Sequence, residues 1–521
     1  MIASLRAISL QPLLASASAF AAAWMVMLST RYFSLSAPDI GGALGIGRDD
    51  GSWLPTAYST FEPVGVVIGC WLANALSIRR VFLGGIYLFL GATCLTLIVP
   101  TFPSLVLSRA LTGAAAGAIM PMSILVQLRV FGLSQRVTAI AVYACATTMG
   151  PQFAGAIDVW AVTHFGWPAV LLASFGPGLF ALVTGHNALQ VEAIRWRPLL
   201  HTDRASLISL SSGVALFAFA VSQGDRLRWT QSPEIIIALI VSFLCVAYFA
   251  AREFRTLRFP ILTSGLLRRR NFSIAALAAL PLQFASMVSI AVLPGILMDV
   301  QGFRPEQIAP ALSAMLLPQI LAYVLCVTAL HARWIDPRSA LILGFGMVTF
   351  ACFLDLQLTS DWIVSNLLAG QILQGLGLPF IIVPLLVIFI GDVRGDEGID
   401  AASIFNVARS LATTIASAWV VTSTRLNGQA NYSELVTSSG FLPKAQEAAL
   451  STLGRHVAQM NPDPAHQHLQ ALRIIADAAR RQAAVLSTTD LLAALGTLLL
   501  ASCVAVVLMS EFGSGHPDRN S

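Results

Sequence analysis

The chain has 521 residues, 56% of them hydrophobic and 11% charged, with a formal net charge of +5; its mean hydropathy is +0.76. That composition lies well outside the range of water-soluble domains, which excludes a soluble enzyme. The basic excess falls in short segments between apolar runs, so it is a signal of membrane orientation and not of nucleic-acid binding.

A membrane crossing needs about 20 mainly apolar residues to span about 30 Å of hydrocarbon. About fourteen such stretches follow one another, near 13–36, 53–75, 81–100, 104–127, 137–160, 167–186, 205–222, 234–251, 272–299, 309–330, 339–357, 362–391, 401–423 and 486–509. Backbone groups in hydrocarbon must pair within their own segment, so these stretches predict helices and an all-α polytopic membrane bundle. With the N-terminus inside, Arg79, Arg80, Arg129, Arg136, Arg195, Arg252, Arg268, Arg333 and Arg338 fall on the cytoplasmic side. The outer short loops then hold only Arg48, Arg226, Arg228 and Arg304, which predicts an N-in, C-in topology. Ala15 to Ala19 imitates a signal-peptide end, but the apolar run continues to about Leu35, so an uncleaved first span is expected.

The layout predicts a six-helix unit over 1–190 and a two-helix insert over 191–270. A second six-helix unit follows over 271–510, and then a short cytoplasmic tail over 511–521. The outer loop 425–485 reads as two amphipathic helices, Lys444 to Met460 and His466 to Val485, split by Asn461-Pro462-Asp463-Pro464. It is either a solvated cap or a docking surface for a periplasmic partner. The seven cysteines all sit in apolar runs without a C-x-x-C pair, and no phosphate-binding G-x-x-x-x-G-K-[ST] occurs. No metal, cofactor, nucleotide-driven pumping or enzymatic activity is therefore expected.

Several local patterns recur along this layout. Leu28, Pro38 and Ile40 lie in and after the first span, with Ser29 and Ser34 between. Trp53, Thr56, Ala57 and Tyr58 open the second. Leu72-Ala73-Asn74 runs on to Ser77 and the Arg79-Arg80 pair. Arg109, Thr112, Gly113 and Gly117 mark the fourth, and Gly150-Pro151-Gln152-Phe153-Ala154-Gly155 the fifth. Gln223-Gly224-Asp225-Arg226 falls in the insert. Asn271-Phe272, then Gln371, Gln374, Gly375 and Pro384, then Asn406 and Arg409 complete the series. Together these resemble the fourteen-span drug:proton antiporter branch of the major facilitator superfamily over nearly the whole chain.

The departures are specific. Ser29 stands where that branch carries a membrane Asp, Asn74 replaces the acid of its loop motif, and Ser77 replaces a glycine. The resemblance implies a major facilitator fold and proton-coupled export of amphipathic or toxic organic compounds across the inner membrane. It reads Gly150, Pro151 and Gly155 as an export mark, and it implies a periplasmic adaptor and an outer-membrane channel as partners. A solute importer and a non-transporting scaffold or sensor remain alternatives. Gly113 and Gly117 also read as a small-x-x-x-small packing face.

Charges inside apolar spans are costly unless paired or hydrated, and so mark sites. Arg31, Glu62, Arg109 and Arg409 are the clearest. Glu62 lies near the middle of its span and precedes Pro63, so it is the expected proton-coupling residue, tuned by Arg31 or Arg109, with Asp39 and Asp158 next in line. The alternative is a fixed ion pair that only orders helices. Asp355 and Asp490 sit near span ends and read as interfacial charges. Ser29, Tyr58, Gln152, Gln283, Gln319, Gln371, Gln374, Asn406 and Arg409 are the expected lining of a substrate cavity, interspersed with Trp24, Phe61 and Phe284. A mostly apolar cavity with few polar groups suits amphipathic ligands, although each glutamine is equally suited to bonding between helices.

Overall fold

The computed structural model describes residues 10–132, 135–196, 202–256, 264–288, 292–391, 393–394, 397–440 and 464–508. Among them there is no strand. The long helices, in chain order, are Leu10–Leu35 (α1), Trp53–Leu76 (α2), Ile78–Ile98 (α3), Phe102–Phe131 (α4), Arg136–Phe165 (α5) and Trp167–Ala188 (α6). Arg204–Gln223 (α7) and Pro233–Thr256 (α8) follow. Ala279–Met287 (α9), Gln307–His331 (α10), Pro337–Leu354 (α11), Val364–Gly391 (α12), Gly398–Gly440 (α13) and Pro464–Leu508 (α14) complete the series.

Twelve of these stretches are long and apolar enough to cross a membrane, two fewer than the fourteen expected from sequence. The difference has local causes. The fifth expected span is the continuous helix α5, whose polar residues, Thr147, Thr148, Gln152 and Asp158 among them, dilute its hydropathy. The ninth is broken into Arg270–Leu277, α9 and Leu293–Gln301. Pro281 lacks the N–H that would bond the Leu277 carbonyl, so the break at Ala278 falls where proline chemistry puts it.

The expected outer loop also differs. Residues 425–440 continue α13, and the second expected amphipathic helix is the first part of α14. The polar residues after Arg425 end the apolar span, but without a proline they do not end the helix. At 45 residues α14 is about 68 Å long, more than twice the hydrocarbon thickness, so it projects beyond the membrane. The Ser487 hydroxyl donates to the Thr424 carbonyl (3.0 Å) and Asn431 Nδ2 to Asp490 Oδ2 (3.0 Å), which ties α13 to α14 where the apolar spans end. Lys444 to Met460 lies outside the described residues.

Packing forms two groups. α1 lies against α4, α5 and α6, and α2 and α3 lie on α4; α12 is flanked by α10 and α11, and α14 by α11 and α13. The groups meet where α2 packs on α13 and α5 packs on α10 and α12, and α7 lies along both α2 and α13. Close approach of α2 and α4 depends on missing side chains. A Cβ on Gly117 would sit 2.0 Å from the Glu62 carbonyl oxygen, and one on Gly65 would sit 2.0 Å from that of Ala114. The small-x-x-x-small face read in the sequence therefore packs α4 on α2.

Near the arginine-rich end, Arg269 grips Glu397 with two guanidinium bonds of 2.6 and 2.9 Å. The Arg394 N–H and that guanidinium hold the Glu397 carboxyl below its ordinary range. Ser77 separates α2 from α3 with φ 118°, and its hydroxyl accepts from the Arg80 N–H at 3.4 Å. A side chain in that backbone region is strained by about 1–3 kcal/mol, which explains the glycine of the related pattern. Ser77→Gly is expected to stabilise the protein by about 1 kcal/mol, read as a higher unfolding temperature in detergent.

Candidate transport site

At the α2–α13 contact, Arg409 Nη2 lies 2.7 Å from Glu62 Oε1. Glu62 is 6% exposed, and the Arg409 side chain is 13% exposed, so the pair is largely withdrawn from solvent. Its two members come from different packing groups. Pro63 follows Glu62 inside α2, and Gly117 of α4 backs onto the Glu62 carbonyl.

One further charge lies close to the pair. The Arg109 guanidinium lies between two aromatic faces, 4.1 Å from the Phe33 ring centroid and 4.4 Å from that of Tyr58. Cation–π contacts supply part of what desolvation removes, yet Arg109 Nε and Nη1 have no hydrogen-bond partner among the described residues. Arg109 lies within electrostatic reach of Glu62, as does the phenol of Tyr143 on α5. Arg31 on α1 is buried as well.

The direct partner of Glu62 is thus Arg409, which the sequence reading had assigned to the substrate cavity, and not Arg31 or Arg109. The sequence reading missed Tyr143 and Phe33 altogether; a lone Tyr in an alanine-rich span is the one signal Tyr143 offers. Asp39 is exposed on the short helix Ala37–Leu44 after α1. Asp158 lies in α5, and its side chain is outside the described set.

The polar side chains expected to line a cavity are mostly enclosed. Gln319, Gln371, Gln374 and Asn406 are fully buried, Gln152, Tyr58 and Ser29 nearly so, and Gln283 is half-buried. Neither end of the Gln319, Gln371 and Gln374 amides has a hydrogen-bond partner among the described residues, and the same holds for Gln152 Oε1, Asn406 Oδ1 and the Tyr58 and Tyr143 hydroxyls. A buried polar group left unmet costs about 1–3 kcal/mol. Such groups recur on α2, α5, α10, α12 and α13, so the interior where these helices lie is polar. Phe284 stacks edge-on against Trp419 at 5.3 Å, whereas Phe61 is 43% exposed on the outer surface.

Gly150 lets α5 approach α1, where a Cβ on it would meet Met27 Cβ at 2.6 Å, and Pro151 follows inside α5. Gly155 is buried one turn on. A second contact between the groups joins the Thr148 and Tyr323 hydroxyls at 2.7 Å. At the arginine-rich end Asn74 Nδ2 donates to Asp400 Oδ1 at 3.4 Å. The acid missing from α2 at position 74 is thus met by one in the first turn of α13.

The insert clasps the other end. Gln223 Nε2 donates to the Thr56 hydroxyl at 2.6 Å, and Arg226 lies over the Trp53 ring at 5.4 Å, both on α2. The Trp229 indole donates to Thr422 Oγ1 at 3.2 Å and Arg425 Nε to Asp225 Oδ1 at 2.9 Å, both on α13. Asp225→Arg is expected to loosen this clasp by about 1 kcal/mol, since the pair is partly exposed. Adding Arg425→Asp should restore the wild-type unfolding temperature.

A helical bundle in two groups, joined across a buried ion pair and a polar interior, defines a membrane transporter. The family model of the Major Facilitator Superfamily matches residues 19–417, and the chain belongs to that superfamily. It is a multi-pass protein of the inner membrane. It is similar to the fatty acid resistance protein FarB of Neisseria gonorrhoeae, 25% identical over 392 residues that cover 75% of this chain and 76% of that one. The multidrug export protein EmrB of Haemophilus influenzae is 24% identical, covering 76% and 77%, and that of Escherichia coli K12 is 22% identical, covering 82% and 83%. Among solved structures, the proton:xylose symporter XylE bound to 6-bromo-6-deoxy-D-glucose shares the fold, with a TM-score of 0.57 over 95% of this chain and 96% of that chain at 10% identity.

Proposed function

We propose that this protein is a proton-coupled exporter, an antiporter of amphipathic or toxic organic compounds across the inner membrane. The observation that carries the reading is the buried Glu62–Arg409 pair across the two packing groups. Ionised Glu62 holds α2 to α13. A proton arriving on Glu62 cancels its charge and releases Arg409, so that the groups separate at the pair and the substrate path changes side. Deprotonation on the other face re-forms the pair. The polar interior around Gln152, Gln319, Gln371, Gln374 and Asn406 orients the ligand, and the surrounding apolar side chains take up its bulk. The names of the relatives, fatty acid resistance and multidrug export, favour outward movement of amphipathic molecules.

The same reading has fourteen crossings, adding α5 and the broken ninth stretch to the twelve. It keeps the division at 1–190, 191–270 and 271–510, and both termini on the cytoplasmic side. Labelling of single cysteines tests that orientation. Ser451→Cys is expected to react with an impermeant thiol reagent from outside and Thr256→Cys not to; the reverse pattern refutes it. The projecting ends of α13 and α14 are the docking face for a periplasmic adaptor that leads to an outer-membrane channel, and unchanged whole-cell efflux after excision of Gln446 to Ala476 would exclude it.

Export itself is tested by deleting the gene and following efflux of an amphipathic dye from whole cells. The reading expects dye retention and sensitisation to toxic amphiphiles, both reversed by the wild-type chain. Unchanged efflux, or faster loss of dye, contradicts it.

A further inference from the structure

Asp355 ends α11 and opens the short 3-10 turn Asp355–Gln357. It is not the interfacial charge expected from its place near a span end. Its side chain is 1% exposed, and neither carboxyl oxygen has a hydrogen-bond partner among the described residues. The carboxyl packs directly on bare backbone: a Cβ on Gly370 of α12 would sit 2.4 Å from both of its oxygens.

Countercharge is missing from the elements around it. α11 and α14 pack on the same turn. No Lys, Arg or His occurs from 339 to 393, and α14 has no ionisable side chain other than Cys503 from Leu491 to Leu508. The titratable neighbour is Cys352, one turn back. Asp361 is exposed in the following loop, Asp490 is bonded to Asn431, and Arg338 at the far end of α11 donates to the Val506 carbonyl. An ionised carboxylate in this niche would be a desolvated, unpaired charge inside the membrane, and such groups exchange protons instead.

We propose that Asp355 is a second proton-binding site, in the group formed by α9 to α14, loaded in the conformation seen here and discharged when the niche between α11, α12 and α14 opens to water. One carboxyl beside a thiol and bare backbone suits a proton, whereas a hard metal cation requires more oxygen ligands. The proposal rests on the proton-driven reading above and extends it from one titrating carboxyl to two.

A hydrophobic carbodiimide tests it on the wild-type protein in lipid nanodiscs. The reagent takes the acid proton onto nitrogen while the carboxyl oxygen bonds its central carbon, giving an O-acylisourea whose acyl group then shifts from oxygen to nitrogen as a stable N-acylurea, so only the protonated acid reacts. Peptide mass spectrometry is expected to find the adduct on Asp355 at neutral pH, declining as pH rises. Asp355→Asn should lose that adduct, remain folded as an isostere of the neutral acid, and show efflux with a flattened pH profile. No adduct on Asp355 at any pH at which the protein is folded would overturn the proposal. So would an adduct yield indifferent to pH together with an unaltered efflux profile in Asp355→Asn. The labelling arm needs no transport, so its outcome stands apart from whether wild-type efflux is proton-driven.

Discussion

Glu62→Gln is expected to reduce proton-driven efflux to background while leaving substrate binding at fixed pH within about tenfold of wild type, a difference of about 1.4 kcal/mol. The amide keeps the size of the side chain but, like the protonated acid, carries no charge to hold Arg409 Nη2, and it cannot take up or release a proton. If the pair were only a structural tie, the same substitution would weaken packing and transport together, at every pH and with every driving force. Glu62→Asp separates these cases. It keeps the titration and shortens the reach to Arg409, so it should retain partial efflux with a displaced pH profile. Truncating Arg409 removes one member of a buried pair, a change that typically costs about 3–5 kcal/mol, and its effect should appear in unfolding temperature as well as in transport.

Gly117→Ala is expected to disturb the packing beneath the pair. The added Cβ would sit 2.0 Å from the Glu62 carbonyl oxygen and 2.6 Å from the Val66 nitrogen. Both are backbone atoms of a packed helix and cannot swing aside, so α2 and α4 must separate. Overpacking of this kind costs about 1–3 kcal/mol, and here it also moves Glu62 away from Arg409. Gly84→Ala in α3 is the control, because nothing lies within 4 Å of its added Cβ. There the smaller backbone entropy of alanine in the unfolded chain should raise stability by about 0.5–1 kcal/mol. Thermal unfolding of the three proteins in one detergent gives both values.

The bundle was legible because lipid leaves the backbone few choices. Apolar runs of sufficient length must be helices, and the stretches read around Trp53, Phe102 and Val364 coincide with α2, α4 and α12. Helix ends were less legible at α13 and α14, where polar residues such as Asn427, Asn431 and Glu434 end the apolar run without breaking the helix. Glu62 stood out because a carboxylate beside proline in the middle of a span has no inexpensive structural explanation. Its partner did not. Arg31, Arg109 and Arg409 are equal in one dimension, and only the packing of α2 on α13 selects Arg409. The polar residues read as cavity lining are enclosed in this conformation, because composition reports what a site contains and not whether it is open. Asp355 was misread for a related reason: nearness to a span end predicts exposure only when no third helix covers the turn, and α14 comes from more than a hundred residues further along the chain.

Transport by purified protein reconstituted in proteoliposomes, with an imposed pH gradient as the sole energy source, tests the central claim most directly. The proton-coupled account predicts that an amphipathic dye is moved against its own gradient in exchange for protons, that a protonophore abolishes this movement, and that Glu62→Gln does not perform it. Uphill movement that survives the protonophore, or that Glu62→Gln still carries out under the proton gradient alone, would contradict the assignment of coupling to Glu62 and Arg409.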